Sequence, residues 1–209
     1  MKTRCMLTIA VMLTSIGLTG CATMTDAMSA AAGMGVVSEH HATFDNATEV
    51  SVSAMPLWAE GSWGNAVRLG AHWSSASPDY VALDMSYQAN ANYGSAMYTR
   101  LSGMDINVDG EITKWQAGAP TKLSSSDYNT VSRTIYTASN NSVVIPYSLL
   151  KRMVAAKDCR LRFHTGDGYE DAQFNIERIP GGQATAILSI RKFMAKVDAA
   201  RSSSTKSKD

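Results

Sequence analysis

Oxygen-bearing side chains recur at every second position in one short stretch of the chain, DINVDGEITKWQ at residues 105–116. Asp105, Asn107 and Asp109 supply carboxylate and amide oxygens, and Gly110 follows directly and permits a sharp turn. Oxygen ligands two residues apart are what a hard cation such as Ca²⁺ requires. The stretch is therefore a candidate calcium site.

The stretch resembles an EF-hand calcium loop, with the three oxygen-bearing residues at loop positions 1, 3 and 5. Position 12 is Gln116, however, where that loop carries a Glu that binds the ion with both oxygens. The central Asp-Gly pair is also a strong signal for a β-hairpin turn. In that hairpin Asp105 would face Lys114, and Met104 would face Trp115. We expect the hairpin, with weak calcium binding at Asp105, Asn107 and Asp109 as the alternative and no other cofactor.

Two tryptophans offer a different kind of chemistry. Trp58 and Trp63 flank a short loop, AEGS, and Gly64 follows the second tryptophan. Exposed Trp rings in loops stack on sugars and peptides, and this predicts a binding surface. The alternative is that the two rings cover the core at the ends of strands.

Catalytic patterns are missing from the sequence. It contains no GxSxG motif, no phosphate-binding loop and no dinucleotide fingerprint, and its four histidines lack the spacing of a metal site. A hydrolase could still bring a serine or a carboxylate to His72 or His164 from distant strands. We therefore predict no catalytic residues and no enzyme activity, and keep a hydrolase as the alternative.

The first twenty residues have the order of an export signal. Lys2 and Arg4 precede an uncharged apolar segment, residues 6–18, which is followed by small residues. The apolar segment is too short to cross a bilayer comfortably as a permanent helix. Residues 1–20 are therefore predicted to be a removable targeting segment.

The motif LTGC at residues 18–21 closes that segment and resembles the lipobox of bacterial lipoproteins. The resemblance covers residues 1–22 and assigns no family to the domain that follows. It implies cleavage before Cys21, a diacylglycerol thioether on its sulfur and an acyl group such as palmitate on the new amino terminus. Several acyl chains together hold a protein on a membrane very firmly. In lipoproteins of this kind, an Asp directly after the cysteine favours the inner membrane. The residue here is Ala22, so the resemblance implies the outer membrane, facing the periplasm.

The charge balance argues against nucleic acid as a partner. The chain has 19 basic and 18 acidic residues, and removal of Lys2 and Arg4 leaves a formal net charge of −1. Nucleic-acid binding requires a basic footprint, which this composition does not provide. Of the three cysteines, Cys5 leaves with the signal and Cys21 carries lipid. Cys159 is then left alone, and its place in the alternating stretch CRLRFH predicts a buried structural thiol.

Composition divides the remaining chain into three parts. Residues 21–42 are rich in Ala, Met, Ser and Gly and predict a flexible tether with a span of roughly 25 Å. Residues 43–200 are long enough for one domain with its own core. Residues 201–209 predict a disordered tail.

The domain itself is predicted to be α+β, mainly antiparallel sheet with two late helices at about 148–157 and 183–199. Strands are indicated by alternating apolar residues in EVSVSA, AVRLGAHW, YVALDMSY and CRLRFH. Ser148 is the expected N-cap of the first helix. Asn140-Asn141 predicts a hairpin turn. DGYED at residues 167–171 predicts a solvated hairpin tip, with a second group of oxygen ligands as the alternative.

Together these features predict a lipid-anchored envelope protein whose domain binds an envelope protein or peptidoglycan without catalysis. A membrane-tethered hydrolase acting on cell-wall or lipid material is the alternative from another class. A calcium-dependent binding domain is the third reading.

Overall fold

The computed structural model describes residues 19–59, 67–90, 98–180 and 182–206. These residues form two antiparallel sheets and three helices, which confirms the predicted α+β class. In chain order the elements are α1 (Thr19–Ala31), β1 (Val37–Ala42), β2 (Ala47–Pro56), β3 (Val67–Ser74), β4 (Tyr80–Asn90), β5 (Gly103–Val108), β6 (Glu111–Gln116), β7 (Lys122–Ser125), β8 (Tyr136–Pro146), α2 (Tyr147–Ala155), β9 (Cys159–Thr165), β10 (Gly168–Gln173) and α3 (Ala186–Lys206).

The strands divide into a six-stranded sheet, ordered β1-β2-β3-β4-β8-β7, and a four-stranded sheet, ordered β10-β9-β5-β6. Alternation along each strand sends apolar side chains to one face. In β5 the inward residues are Met104, Ile106 and Val108, and in β9 Leu161 and Phe163 join them. The inner faces of both sheets and the buried sides of α2 and α3 contribute to one hydrophobic core. The outer faces are left for solvent.

The predicted hairpin over residues 105–116 is confirmed. Asp105 lies opposite Lys114, and Met104 lies opposite Trp115. At the turn, Asp109 has φ 51° and Gly110 has φ 96°. Positive φ at both central residues is what a type I′ hairpin turn requires, and this explains the Asp-Gly pair.

Cys159 is fully buried in the inner face of β9, as the alternating pattern predicted. Burial away from water raises the pKa of its thiol to about 12, and the nearby carboxylates of Asp158 and Asp109 act in the same direction. The thiol is therefore protonated at neutral pH and contributes to packing.

The predicted turn at Asn140-Asn141 is wrong, because β8 runs unbroken from Tyr136 to Pro146. Each of its eleven residues has a partner in β4, so the strand is held in register along its whole length. The Asn141 amide donates hydrogen bonds to the carbonyl oxygens of Leu101, at 2.7 Å, and Ala119, at 2.9 Å. This long pairing and these side-chain bonds override the local turn preference.

Helix α2 begins one residue before the predicted cap. The residue at its N-cap position is Pro146, which makes no side-chain cap hydrogen bond, so Ser148 lies inside the helix. The first amide of the helix, that of Tyr147, donates to the carbonyl oxygen of Asp79 at 2.8 Å. The backbone carbonyl of Asp79, in the turn before β4, thus takes the capping role that was expected of Ser148.

The flexible tether predicted for residues 21–42 is a further correction. Helix α1 runs from Thr19 to Ala31, and β1 pairs with β2 as an edge strand. Arg178 explains the docking of the helix, because its guanidinium bonds both carboxylate oxygens of Asp26, at 3.1 and 2.8 Å. Long-range contacts of this kind are invisible in the local composition.

The tail is likewise more ordered than predicted, since α3 continues to Lys206. Arg201 donates to the Pro78 carbonyl at 2.6 Å and to Asp79 Oδ1 at 3.3 Å, and its guanidinium lies 5.2 Å from the ring centre of Tyr147. These contacts hold the last turns of the helix against the body. Residues 1–18, which hold most of the predicted signal, and residues 207–209 lie outside the described residues.

Candidate binding site

Long polar side chains cover the outer face of the four-stranded sheet. Because Met104, Ile106 and Val108 point inward, the residues between them in β5 point outward. Asp105 lies opposite Lys114 of β6 on one side and opposite Arg162 of β9 on the other. Arg162 in turn lies opposite Asp171 of β10. The register therefore builds one row of alternating charge across all four strands.

A second row lies beside the first. Asn107 is opposite Ile112 on one side and Arg160 on the other, and Arg160 is opposite Gln173. The backbone N–H of Gln173 donates to the carbonyl oxygen of Trp58 at 2.7 Å, which fixes the Trp58 backbone at the end of this row. The row thus ends at a tryptophan.

Together these rows enclose a cavity of about 440 Å³, which we call the Trp58 cavity. It is lined chiefly by Trp58, Asp105, Asn107, Arg160, Arg162 and Asp171. The structure thus brings three of the residues singled out in the sequence into one concavity, namely Trp58, Asp105 and Asn107. Trp63 lies outside the described residues.

The cationic side chains of the cavity are held by carboxylates. Arg162 donates from Nε and Nη2 to the two carboxylate oxygens of Asp171, at 2.7 and 2.8 Å, and this hydrogen bonding raises the pKa of Arg162. Its guanidinium also lies 3.8 Å from the ring centre of Tyr169. Arg160 donates from Nε to Asp158, at 3.0 Å. Both guanidinium groups are therefore preorganised and charge-balanced.

His164 and Asp105 form a pair at the edge of the cavity, with 3.0 Å between His164 Nε2 and Asp105 Oδ1. The side chain of Asp105 is only 16% exposed, against 39% for His164. Asp105 also lines a second concavity of about 850 Å³, together with His164, Lys114 and Trp115. Asp105 therefore lines both concavities. A histidine paired with a carboxylate, which is one of the contacts that a hydrolase would use, is present here.

His72 forms a different network on the outer face of the six-stranded sheet. Its Nδ1 lies 3.0 Å from both carboxylate oxygens of Asp84, and Ser142 Oγ donates to Asp84 Oδ1 at 2.6 Å. The hydrogen bond to Asp84 raises the pKa of His72. Here the carboxylate is the middle member, whereas in a serine-hydrolase triad the histidine is. Within the described residues, no serine hydroxyl is hydrogen bonded to His72 or His164.

The three candidate calcium ligands are directed to three different protein partners. Asp105 pairs with His164, Asn107 Oδ1 accepts from the Gly110 amide at 2.8 Å, and Asp109 Oδ1 accepts from the amides of residues 157 and 158. In the part of the chain that the structure describes, no group of three or more His, Cys, Asp or Glu side chains could hold a metal ion. Calcium binding at these residues stays a prediction.

Sequence reasoning missed Arg160, Arg162 and Asp171 as members of a site. The alternation in CRLRFH correctly indicated that the arginines face outward, and DGYED is the hairpin strand that follows. The missing information was the register, which sets Arg162 between two carboxylates. No local signal in the sequence encodes that neighbourhood.

Comparisons with known proteins add no identity. No family model matches the chain, and neither a curated protein nor a solved structure matches it significantly. The helices of the described residues include none that is long and apolar enough to cross a membrane.

Proposed function

We propose that this chain is an envelope lipoprotein, anchored through Cys21, whose four-stranded sheet binds a glycan or peptide of the cell envelope in the Trp58 cavity. The anchor follows from the resemblance of LTGC to a lipobox, and Ala22 favours the outer membrane with the domain in the periplasm. The binding domain works without catalysis.

One observation carries the binding proposal: the row that ends at Trp58 lies beside a row of paired charges on an open sheet face. An indole ring presents a flat apolar face for a sugar ring or a peptide group. The carboxylates, amides and guanidinium groups beside it can donate to and accept from hydroxyl and amide groups. A few placed polar groups beside an aromatic wall are typical of small-ligand sites.

The balance of charge narrows the range of ligands that suit the site. Arg162 is paired with Asp171 and Arg160 with Asp158, so neither of the two arginines that line the described cavity offers an uncompensated charge to a polyanion. A neutral or zwitterionic ligand, such as a peptidoglycan strand with its peptide stem, suits this surface better than nucleic acid does.

The test is co-sedimentation of the purified full chain, in detergent, with isolated peptidoglycan. We expect retention of the unaltered chain and loss of retention for Trp58→Ala. The variant keeps the backbone bond from Gln173, because that bond uses the Trp58 carbonyl oxygen. Tyr80→Ala is the matched control, since this exposed aromatic belongs to the six-stranded sheet. Equal retention of all three chains would refute the assignment of the site.

A hydrolase is the second candidate, and the His164–Asp105 pair beside the 850 Å³ concavity favours it. A carboxylate that orients a histidine is half of a general-base arrangement. Release of soluble fragments from peptidoglycan, lost in His164→Ala and retained in His72→Ala, would support this activity. No release by the unaltered chain would leave binding as the function to pursue.

A further inference from the structure

We propose that the uncovered side of α1 lies on the lipid bilayer, with Met24 and Met28 in the interface next to the acyl chains. This inference rests on the proposed lipid anchor at Cys21. In this proposal a helix, rather than a flexible tether, sets the orientation of the domain on its membrane.

One side of α1 is bound to the body of the protein. Arg178 bonds both carboxylate oxygens of Asp26, and Thr25 Oγ1 lies 3.5 Å from the carbonyl oxygen of Gly182. Ser29 is 6% exposed on the same side. These three positions fix the rotation of the helix about its own axis.

The chain after α1 is also fixed. The Gly35 amide donates to the Ser53 carbonyl at 3.2 Å, and Ser53 Oγ donates to the carbonyl oxygen of Gly33 at 2.7 Å. Both bonds attach the segment to β2. The point where the chain leaves the helix is therefore fixed on the domain.

The opposite side of α1 is open and uncharged. Met24 is 67% exposed and Met28 is 63% exposed, and their spacing of four residues places them on one face. The other exposed positions of this helix carry Thr or Ala: Thr23, Ala27, Ala30 and Ala31. The single charged residue of α1, Asp26, is ion-paired on the body-facing side. Large flexible apolar side chains without charge around them suit an acyl-chain boundary.

The occupant of this face follows from where the anchor is. Cys21 belongs to the first turn of the same helix, three and seven residues before the two methionines. A rise of 1.5 Å per residue puts those positions only about 4.5 and 10.5 Å further along the helix axis. A lipid on the Cys21 sulfur therefore brings a bilayer within reach of both methionines, and we commit to that bilayer as the partner.

The test uses the acylated full chain, reconstituted in vesicles of phosphatidylethanolamine and phosphatidylglycerol. Met24→Cys, Met28→Cys and Val144→Cys each carry one polarity-sensitive thiol-reactive fluorophore. Val144, at 57% exposure on the outer face of the six-stranded sheet, is the matched control. The native Cys159 is buried and is not expected to be labelled.

We expect emission from positions 24 and 28 to shift to shorter wavelength in vesicles and to be quenched by brominated lipid, while position 144 keeps its aqueous spectrum. Aqueous spectra at 24 and 28 would overturn the inference, as would a shift that appears only when a second protein is added. Flotation of the same samples separates the two proposals. A chain that does not float with vesicles lacks the anchor, whereas a floating chain with aqueous spectra keeps the anchor and loses only the bilayer contact of α1.

Discussion

The outer faces of the two sheets carry different kinds of side chain. On the six-stranded sheet they are mostly short, such as Ser51 beside Ser38, whose hydroxyl oxygens are 2.8 Å apart, and Ser142 beside Asp84. On the four-stranded sheet they are long and charged, and they end at an indole. In these two pairs on the first face, short polar side chains bond to one another over short distances. The second face presents guanidinium and carboxylate groups beyond the backbone, where they can enclose a ligand.

Under the proposed function, this contrast assigns the core to the shared inner faces and recognition to one outer face. Alternation lets a single strand serve both purposes, because neighbouring residues face opposite sides. In β9, Phe163 is fully buried in the core, while Arg162 points to solvent with 43% of its side chain exposed. Substitutions at such neighbouring positions can separate stability from binding.

The largest effect should come from the inner face. Phe163→Ala removes a fully buried ring and leaves a cavity, and we expect it to lower the free energy of unfolding by about 3–5 kcal/mol. Arg162→Ala, one residue away on the outer face, should cost less than about 1 kcal/mol because the ion pair with Asp171 is exposed. Urea denaturation measures both, and equal losses would contradict the division of labour between the faces.

The next effect concerns binding. A central aromatic anchor contributes about 2 kcal/mol or more to an interface, so Trp58→Ala should weaken peptidoglycan binding roughly 30-fold or more. Tyr80→Ala on the other sheet should leave the dissociation constant unchanged. A similar loss in both variants would mean that the two faces do not differ in the way described above.

A smaller effect should follow from Arg162→Lys, which keeps the charge but loses the two-bond geometry to Asp171. We expect binding to weaken about tenfold, equivalent to about 1.4 kcal/mol, with little change in stability. Arg152→Lys is the control, because Arg152 also donates two bonds to one carboxylate, that of Glu111, and neither residue lines the Trp58 cavity. Loss of binding in the control would indicate a general charge effect.

The smallest effect belongs to the six-stranded sheet. The hydrogen bond to Asp84 raises the pKa of His72 above its ordinary 6.5, so the protonated pair stabilises the fold. That stabilisation is complete below pH 6.5 and disappears as the pH rises through the higher folded pKa. The His72 side chain is 57% exposed, so we expect less than about 1 kcal/mol.

Denaturation of the unaltered chain and of Asp84→Asn across pH 5 to 8 measures this contribution. The difference between the two should shrink towards higher pH. A difference that grows with pH would reverse the sign and contradict the role of the pair. Peptidoglycan binding should not follow this titration, since His72 belongs to the other face.

Periodicity predicted the strands well because burial on one face leaves a direct mark on the sequence. The hairpin at Asp109-Gly110 was predictable as well, since its turn requires positive φ at both residues. Asn140-Asn141 carries a similar signal and is overridden by eleven consecutive partners in β4. The docking of α1 depends on Arg178, about 150 residues away, and no local pattern reports such a contact.

The candidate site was predictable only in fragments. Trp58 was singled out as an aromatic binding residue, and Asp105 and Asn107 were singled out as calcium ligands. Only the strand register brings the three residues to one cavity. Asp109 was grouped with them by spacing, yet the turn directs its carboxylate to the amides of residues 157 and 158. Spacing along a chain predicts a shared face in a strand and fails where the strand ends.

The buried position of Cys159 also has a consequence for its reactivity. Attack on a disulfide requires a thiolate, and a thiol with a pKa of about 12 supplies almost none at physiological pH. Once the chain is folded, Cys159 is therefore a very poor partner for thiol–disulfide exchange.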